Sequence, residues 1–196
     1  MDIVQRVQSI LLKPKEEWVK IKAEPTTIAE IFTSYVMILA AIPAVFQFLG
    51  NVLVGRRLPL VGVFRWSIGR ALGSAILTYV LALAAVYIFA LVVNELAPTF
   101  SSTKNMASAL KLAAYSMTPG WVAGVLYIIP GLWWLGLLAS LYGLYILYLG
   151  FDTPMMETPK DKIGGYMILS VVVVVVLYVV FNWIGRGIFA VRYGRL

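Results

Sequence analysis

Residues 112–151 read LAAYSMTPGWVAGVLYIIPGLWWLGLLASLYGLYILYLGF, an unbroken stretch without one charged side chain. A helix crosses the ~30 Å hydrocarbon layer of a bilayer in about 20 residues. This stretch is about twice that length, so it must fold back on itself. Pro130-Gly131 lies near its middle. Proline removes a backbone donor and pushes the residue before it out of the helical region, which makes Ile129 a natural helix end. The reading is a third span over 113–129 and a fourth over 133–151, joined by a tight hairpin. The competing reading is a single tilted helix over 112–151, and its excessive length disfavours it.

Three more uncharged runs lie outside this stretch: Ile31 to Val54, Ala71 to Val93 and Ile163 to Ile184. The last contains six consecutive valines, Val171 to Val176. A lone strand in lipid would leave its backbone groups unpaired, whereas a helix satisfies them internally, so the valines read as helix. The count is five spans, about 31–54, 71–93, 113–129, 133–151 and 163–184.

Composition agrees with that count. Of 196 residues, 61% are hydrophobic and 13% charged, against about 45–50% and 25% in soluble domains. The chain contains no Cys and no His, which removes disulfides, the commonest metal ligand and the usual neutral-pH general base. The net charge of +7 suits anionic headgroups. No secretory signal peptide is expected, because the first long apolar run begins near residue 28 after a charged, periodic segment.

An odd number of spans puts the two termini on opposite sides. With the N-terminus inside, Arg6, Lys13, Lys15, Lys20, Lys22, Lys104, Lys111, Lys160 and Lys162 fall inside, nine in all. Arg56, Arg57, Arg65, Arg70, Arg186, Arg192 and Arg195 fall outside, seven in all. The excess favours a cytoplasmic N-terminus.

Before the first span, Ile3, Val4, Val7, Ile10 and Leu11 recur at the spacing of an amphipathic helix, with Gln5, Arg6, Gln8 and Lys13 read as facing elsewhere. Pro14 can open a second helix, with Glu16 and Glu17 in its first turn. Residues 1–27 therefore read as a cytoplasmic segment of short helices in the headgroup layer, with Trp18 touching headgroups. Packing onto the ends of the spans, or docking of a partner protein, are the alternatives. Residues 28–184 form the membrane domain and 185–196 a basic tail. The whole is an all-α polytopic bundle of five spans with an N-terminal interfacial amphipathic helix.

The loop between the first two spans carries Arg56, Arg57, Arg65 and Arg70 among Leu60, Val61, Val63, Phe64 and Trp66. Interleaved arginines and aromatics can bind nucleic acid. Beside a membrane, the same pattern places Trp66 at headgroup level and the arginines on phosphates, so lipid contact is expected and nucleic acid is not. Lys104 and Lys111 are expected to snorkel to the interface.

Catalysis needs a titratable group in a protected site. No Asp, Glu, Lys or Arg falls within the uncharged runs, and the acidic residues are scattered over loops and helix ends. No enzyme, metal or cofactor is expected; Glu30, Glu95 and Asp152 read as helix-end charges. The polar groups left inside the spans include Gln47, Tyr115 and Asn182, candidates for a neutral-solute or lipid pathway between helices kinked at Pro43, Pro119 and Pro130. Gly69-x-x-x-Gly73 and Gly120-x-x-x-Gly124 allow close helix approach, either within the bundle or between copies in a homo-oligomer.

Several short motifs resemble one family. They are Pro14-Lys15-Glu16-Glu17-Trp18 with Ile21, Ala114-Tyr115-Ser116-Met117-Thr118-Pro119, Pro130 at the hairpin, Leu141-Tyr142-Gly143-Leu144-Tyr145 through Gly150, and Thr158-Pro159-Lys160-Asp161-Lys162 with Gly165-Tyr166. In order and spacing, the chain resembles the Yip1-domain family of five-span membrane proteins, especially its bacterial inner-membrane branch of unknown function. The resemblance implies a cytoplasmic N-terminus, five helices and no known catalytic residues. Eukaryotic relatives bind Rab-type GTPases and carry a D-L-Y-G-P motif. Here Leu141-Tyr142-Gly143 lacks the flanking Asp and Pro, so that binding is not carried over. The function expected is that of a non-enzymatic membrane protein that organises lipid or partner proteins, with a small transporter or lipid-translocating protein as the alternative.

Overall fold

The computed structural model describes residues 2–58, 62–153 and 155–190. Asp2 begins the first helix, α1 (Ile3–Leu12), by accepting hydrogen bonds from the Val4 and Gln5 amides. Lys13 breaks the helical path, and Pro14, which has no amide hydrogen to leave unsatisfied, starts α2 (Pro14–Ala23). After a short extended linker, Thr27 and Glu30 form a reciprocal capping box at the start of α3 (Ile28–Val54). Helix α3 widens to π geometry over Phe32–Val36 and Gly50–Val54, on either side of Pro43.

A small antiparallel hairpin follows, with β1 (Arg56–Leu58) paired to β2 (Gly62–Phe64) in the register Arg56↔Phe64, Arg57↔Val63 and Leu58↔Gly62. It departs from the purely helical expectation. Gly55 at φ 75° and Gly62 at φ 88° supply the left-handed turns that let this stretch pair with itself. Helix α4 (Ile68–Leu96) runs back and ends in a 3₁₀ turn at Ala97–Phe100.

The next leg differs from the single helix expected over 113–129. It begins earlier, at α5 (Met106–Ser116), breaks at Met117, resumes as α6 (Thr118–Ala123) and tightens to 3₁₀ over Gly124–Ile128. Pro119 cannot donate to the preceding turn, which accounts for the break. A Cβ on Gly124 would lie 2.7 Å from the Pro43 Cβ, so this leg crosses α3 at close range. A 3₁₀ turn at Pro130–Leu132 reverses the chain into α7 (Trp133–Asp152), and α8 (Ile163–Ala190) closes the fold.

Three helical stretches among the described residues are long and apolar enough to cross a membrane: Ile28–Val54, Ile68–Phe100 and Pro130–Asp152. Their outer faces carry large apolar side chains that no protein covers, such as Ile76 and Val80 on α4 and Trp133, Leu137 and Leu141 on α7. Val172, Val175, Val176 and Val179 do the same on α8. A belt of this size would aggregate in water and is at home in lipid. The architecture is that of a predominantly helical membrane protein with one short β-hairpin.

The core lies on the inward faces. Residues 109–116 of α5 are buried on every side, so α5 is the central rod against which α3, α4 and α7 pack. The ends of the legs alternate. At one end, Ser102 Oγ donates to Thr158 Oγ1 at 2.9 Å, and the Thr103 amide donates to the Met156 carbonyl at 2.8 Å. At the other end, the Trp66 amide donates to the Asn51 carbonyl at 3.1 Å, and Gly50 lies against the Tyr127 and Ile128 carbonyls.

Candidate functional site: a charged clamp beneath the N-terminal helices

Arg6 lies three residues after Ile3 and four before Ile10, which places it on the apolar stripe of α1 rather than on the polar face. The structure corrects the expectation that it faces away from the stripe: Arg6 is 6% exposed. One guanidinium nitrogen pairs with Glu17 on α2, and the other reaches both carboxylate oxygens of Glu24 just beyond it. Its carbon also sits 5.8 Å above the Tyr115 ring. Burial works against the charge. The hydrogen bond to Glu24 and the charges of Glu24, Tyr115 and Glu17 outweigh it, so the Arg6 pKa is raised.

Lys111 approaches the same cluster from α5. It is as buried as Arg6 and donates to the carbonyls of Ile21 at 2.8 Å and Glu24 at 2.6 Å. These carbonyls belong to the last turn of α2, where helix acceptors have no partner in their own helix. The snorkelling expected of Lys111 is therefore replaced by capping of α2.

Trp18 is also fully enclosed by protein, and the headgroup contact expected for it is corrected. Its indole nitrogen donates to the Ile146 carbonyl of α7 at 2.9 Å, and its ring meets Tyr115 edge-on at 6.0 Å. Gly150 makes room: a Cβ there would lie 2.8 Å from the indole. Tyr115 touches Tyr35 at 4.6 Å between ring centres, and the Tyr35 hydroxyl bonds the Thr118 hydroxyl at 2.7 Å. The Tyr142 hydroxyl donates to the Leu11 carbonyl at 2.8 Å. The two N-terminal helices are thus tied to α5 and α7.

Above the clamp, an open polar cleft of about 230 Å³ is lined by Asp2, Gln5, Arg6, Ser9, Glu17, Lys20 and Glu24. A second cleft of about 240 Å³ lies sideways between α3 and α4, lined by apolar groups including Ala41, Ala44, Phe48, Leu72, Ala75 and Tyr79. Neither cleft is lined by Gln47 or Tyr115. Gln47 is half-buried on α3, while Tyr115 is closed in by its aromatic neighbours. The side chain of Asn182 lies outside the described residues, as do those of Arg56 and Arg57.

The remaining expected positions divide. Arg65 is exposed at the hairpin end, and Arg70 stacks over Trp66 at 4.5 Å. A Cβ at Gly120 would lie 2.8 Å from Ser140 Oγ, so Gly120 packs within the bundle, as Gly124 does on Pro43. At Gly69 and Gly73 a Cβ would meet nothing within 4 Å, so their face of α4 is not filled by any of the described residues. Among the described residues, no group of three or more acidic residues is gathered that could hold a metal ion.

Sequence reasoning missed the clamp. Its one visible signal was a cation at stripe spacing inside an otherwise apolar face. The carboxylates that answer it lie 11 and 18 residues further on.

A model of the Yip1 domain matches residues 9–184. The inner membrane protein YohC of Escherichia coli strain K12 is 28% identical over 153 residues, which cover 76% of this chain and 78% of that protein. The protein of the same name from Escherichia coli O6:H1 matches with the same identity and coverage. No solved structure matches. The chain belongs to the Yip1-domain family.

Proposed function

We propose that this Yip1-domain protein is a non-enzymatic integral protein of the bacterial inner membrane. It crosses the bilayer five times from a cytoplasmic N-terminus, and its clamped N-terminal helices organise lipid or partner proteins on the cytoplasmic side. The clamp carries the reading. Arg6, Glu17, Glu24 and Lys111 consume their charges on one another and on helix carbonyls. They hold α1 and α2 in place and leave Lys13, Lys15, Lys20 and Lys22 exposed beside them. Carboxylates elsewhere are engaged structurally too: Glu30 caps α3, and Glu95 pairs with Lys104. The inner-membrane location rests on the name carried by the YohC relatives.

Topology is tested by placing single cysteines in a chain that has none. With an impermeant maleimide on intact cells, Ser67→Cys should react, whereas Glu16→Cys, Lys104→Cys and Lys160→Cys should react only after permeabilisation. The reverse pattern overturns the cytoplasmic N-terminus, and Lys160→Cys on the opposite side from Lys104→Cys, or one side for all four, overturns the five-span reading. Function is tested with the full chain and Arg6→Ala in native membranes. Cross-linked neighbours and co-purified anionic lipid should both fall in the variant, and an unchanged set of both rejects the organising role.

The lateral cleft between α3 and α4 favours a second reading, a lipid-translocating protein. Reconstituted vesicles in which the protein leaves the flip rate of a labelled phospholipid unchanged would dismiss it.

A further inference from the structure

The stripe that made α1 look like a membrane anchor is spent on the protein, since Ile10 and Arg6 are buried and Ile3, Val7 and Leu11 pack against the core. Val4, on that stripe by its spacing, is left out of the packing and continues with Gln8 and Leu12 into a second, uncharged stripe along the flank of α1, repeating every four residues. Val4 is 60% exposed and Leu12 78% exposed. An uncharged exposed face on a helix already saturated on its other side calls for a covering.

Depth indicates what covers it. The Leu11 carbonyl is held by Tyr142 and the Trp18 indole by Ile146. Tyr142 lies six residues before Tyr148, so about 9 Å along the helix axis separates them. Tyr148, Tyr145 and Tyr142 are all exposed on the outer surface of α7, the pattern of an interfacial aromatic belt. The corner between α1 and α2 therefore lies about 5–10 Å inside the leaflet, the depth of an interfacial helix. Lys13 and Lys15 flank that corner and are exposed, with stems long enough to carry their charge back to the phosphates.

We propose that the Val4–Gln8–Leu12 face of α1 is immersed at the headgroup–acyl boundary of the cytoplasmic leaflet, with Lys13 and Lys15 holding the phosphates of anionic phospholipids. This rests on the five-span reading and names the partner of its N-terminal helices. Because α1 enters one leaflet only and is fastened to α7, it acts as a wedge coupled rigidly to the bundle.

The test uses the full chain in nanodiscs of phosphatidylglycerol or of phosphatidylcholine, with a fluorophore on Leu12→Cys or Val4→Cys. Lys22→Cys, exposed in the last turn of α2 and away from that corner, is the aqueous control. Lipids bearing a nitroxide high on the acyl chain should quench the Leu12 and Val4 probes, and dissolved iodide should quench the Lys22 probe. Combining Lys13→Glu with Lys15→Glu should weaken lipid contact in phosphatidylglycerol by a factor on the order of ten and change little in phosphatidylcholine. Iodide quenching at Leu12 and Val4 overturns the proposal, and if the maleimide topology holds, the five-span reading survives it. Protection from both quenchers also overturns it and gives the face to a second copy of the chain.

Discussion

Lys111 of α5 closes the end of α2, its ammonium shared between the carbonyls of Ile21 and Glu24 at 2.8 and 2.6 Å. A helix end that would otherwise need water is finished by a side chain from another leg of the bundle. Lys111→Met keeps the stem and removes the donor. Leaving these acceptors unmet should lower stability by about 1–3 kcal/mol, read as a lower melting temperature by tryptophan fluorescence in lipid nanodiscs. An unchanged melt would mean that water replaces the ammonium there.

The two limbs of the Arg6 clamp should be unequal. The Glu17 side chain is 6% exposed and that of Glu24 is 42% exposed. Glu17→Ala leaves the buried guanidinium held only by the more exposed Glu24 and should cost about 3 kcal/mol. Solvent screens the second limb, and Glu24→Ala should cost about 1 kcal/mol or less. Amide exchange should localise both losses to α1 and α2. Equal effects would contradict the geometry.

Glycines at packed and at open positions should behave differently. A Cβ at Gly143 would lie 2.5 Å from the Ser116 carbonyl oxygen, while one at Gly69 or Gly73 meets nothing within 4 Å. Gly143→Ala should therefore destabilise by about 1–3 kcal/mol through overpacking. Gly69→Ala and Gly73→Ala should stay within about 0.5 kcal/mol in monomeric preparations. If Gly73→Ala instead lowers the mass measured in detergent, that face of α4 joins two copies.

The Thr27–Glu30 capping box should leave a mark in acid. Hydrogen bonds from the Thr27 amide and hydroxyl hold the Glu30 carboxyl below its ordinary 4.5. The native state then binds fewer protons than the unfolded one as pH falls. The stabilisation is complete above the ordinary pKa and is lost as pH drops through the lowered native value. Carboxyl NMR should show Glu30 titrating below 4.5, with the midpoint moving back up in Thr27→Ala. An identical midpoint in both forms would remove the hydroxyl from the cap.

Much of the architecture is legible in the chain because lipid simplifies the problem. Uncharged runs, Pro130 and the glycines beside Pro43 and Ser140 report on where helices lie and turn, since each acts over a few residues or through bulk hydropathy. The break at Met117 was half visible, in that Pro119 marks a disturbance without saying that α5 would start as early as Met106. The clamp was hidden for a different reason. Charged residues near an end read as solvated, and nothing local reveals that Lys111 will find a carbonyl 90 residues upstream or that Trp18 will find one 128 residues downstream. Arg6 was the exception, since its position on the stripe of α1 was available to inspection.

The distance between these partners along the chain bears on biosynthesis. Translation delivers α1 and α2 long before Lys111, Tyr142 or Ile146 leaves the ribosome, so the hairpin emerges with every one of those distant anchors still to be made. Its final seating must follow the synthesis of α7, and a truncated product ending before α7 would carry these two helices without their Tyr142 and Ile146 moorings.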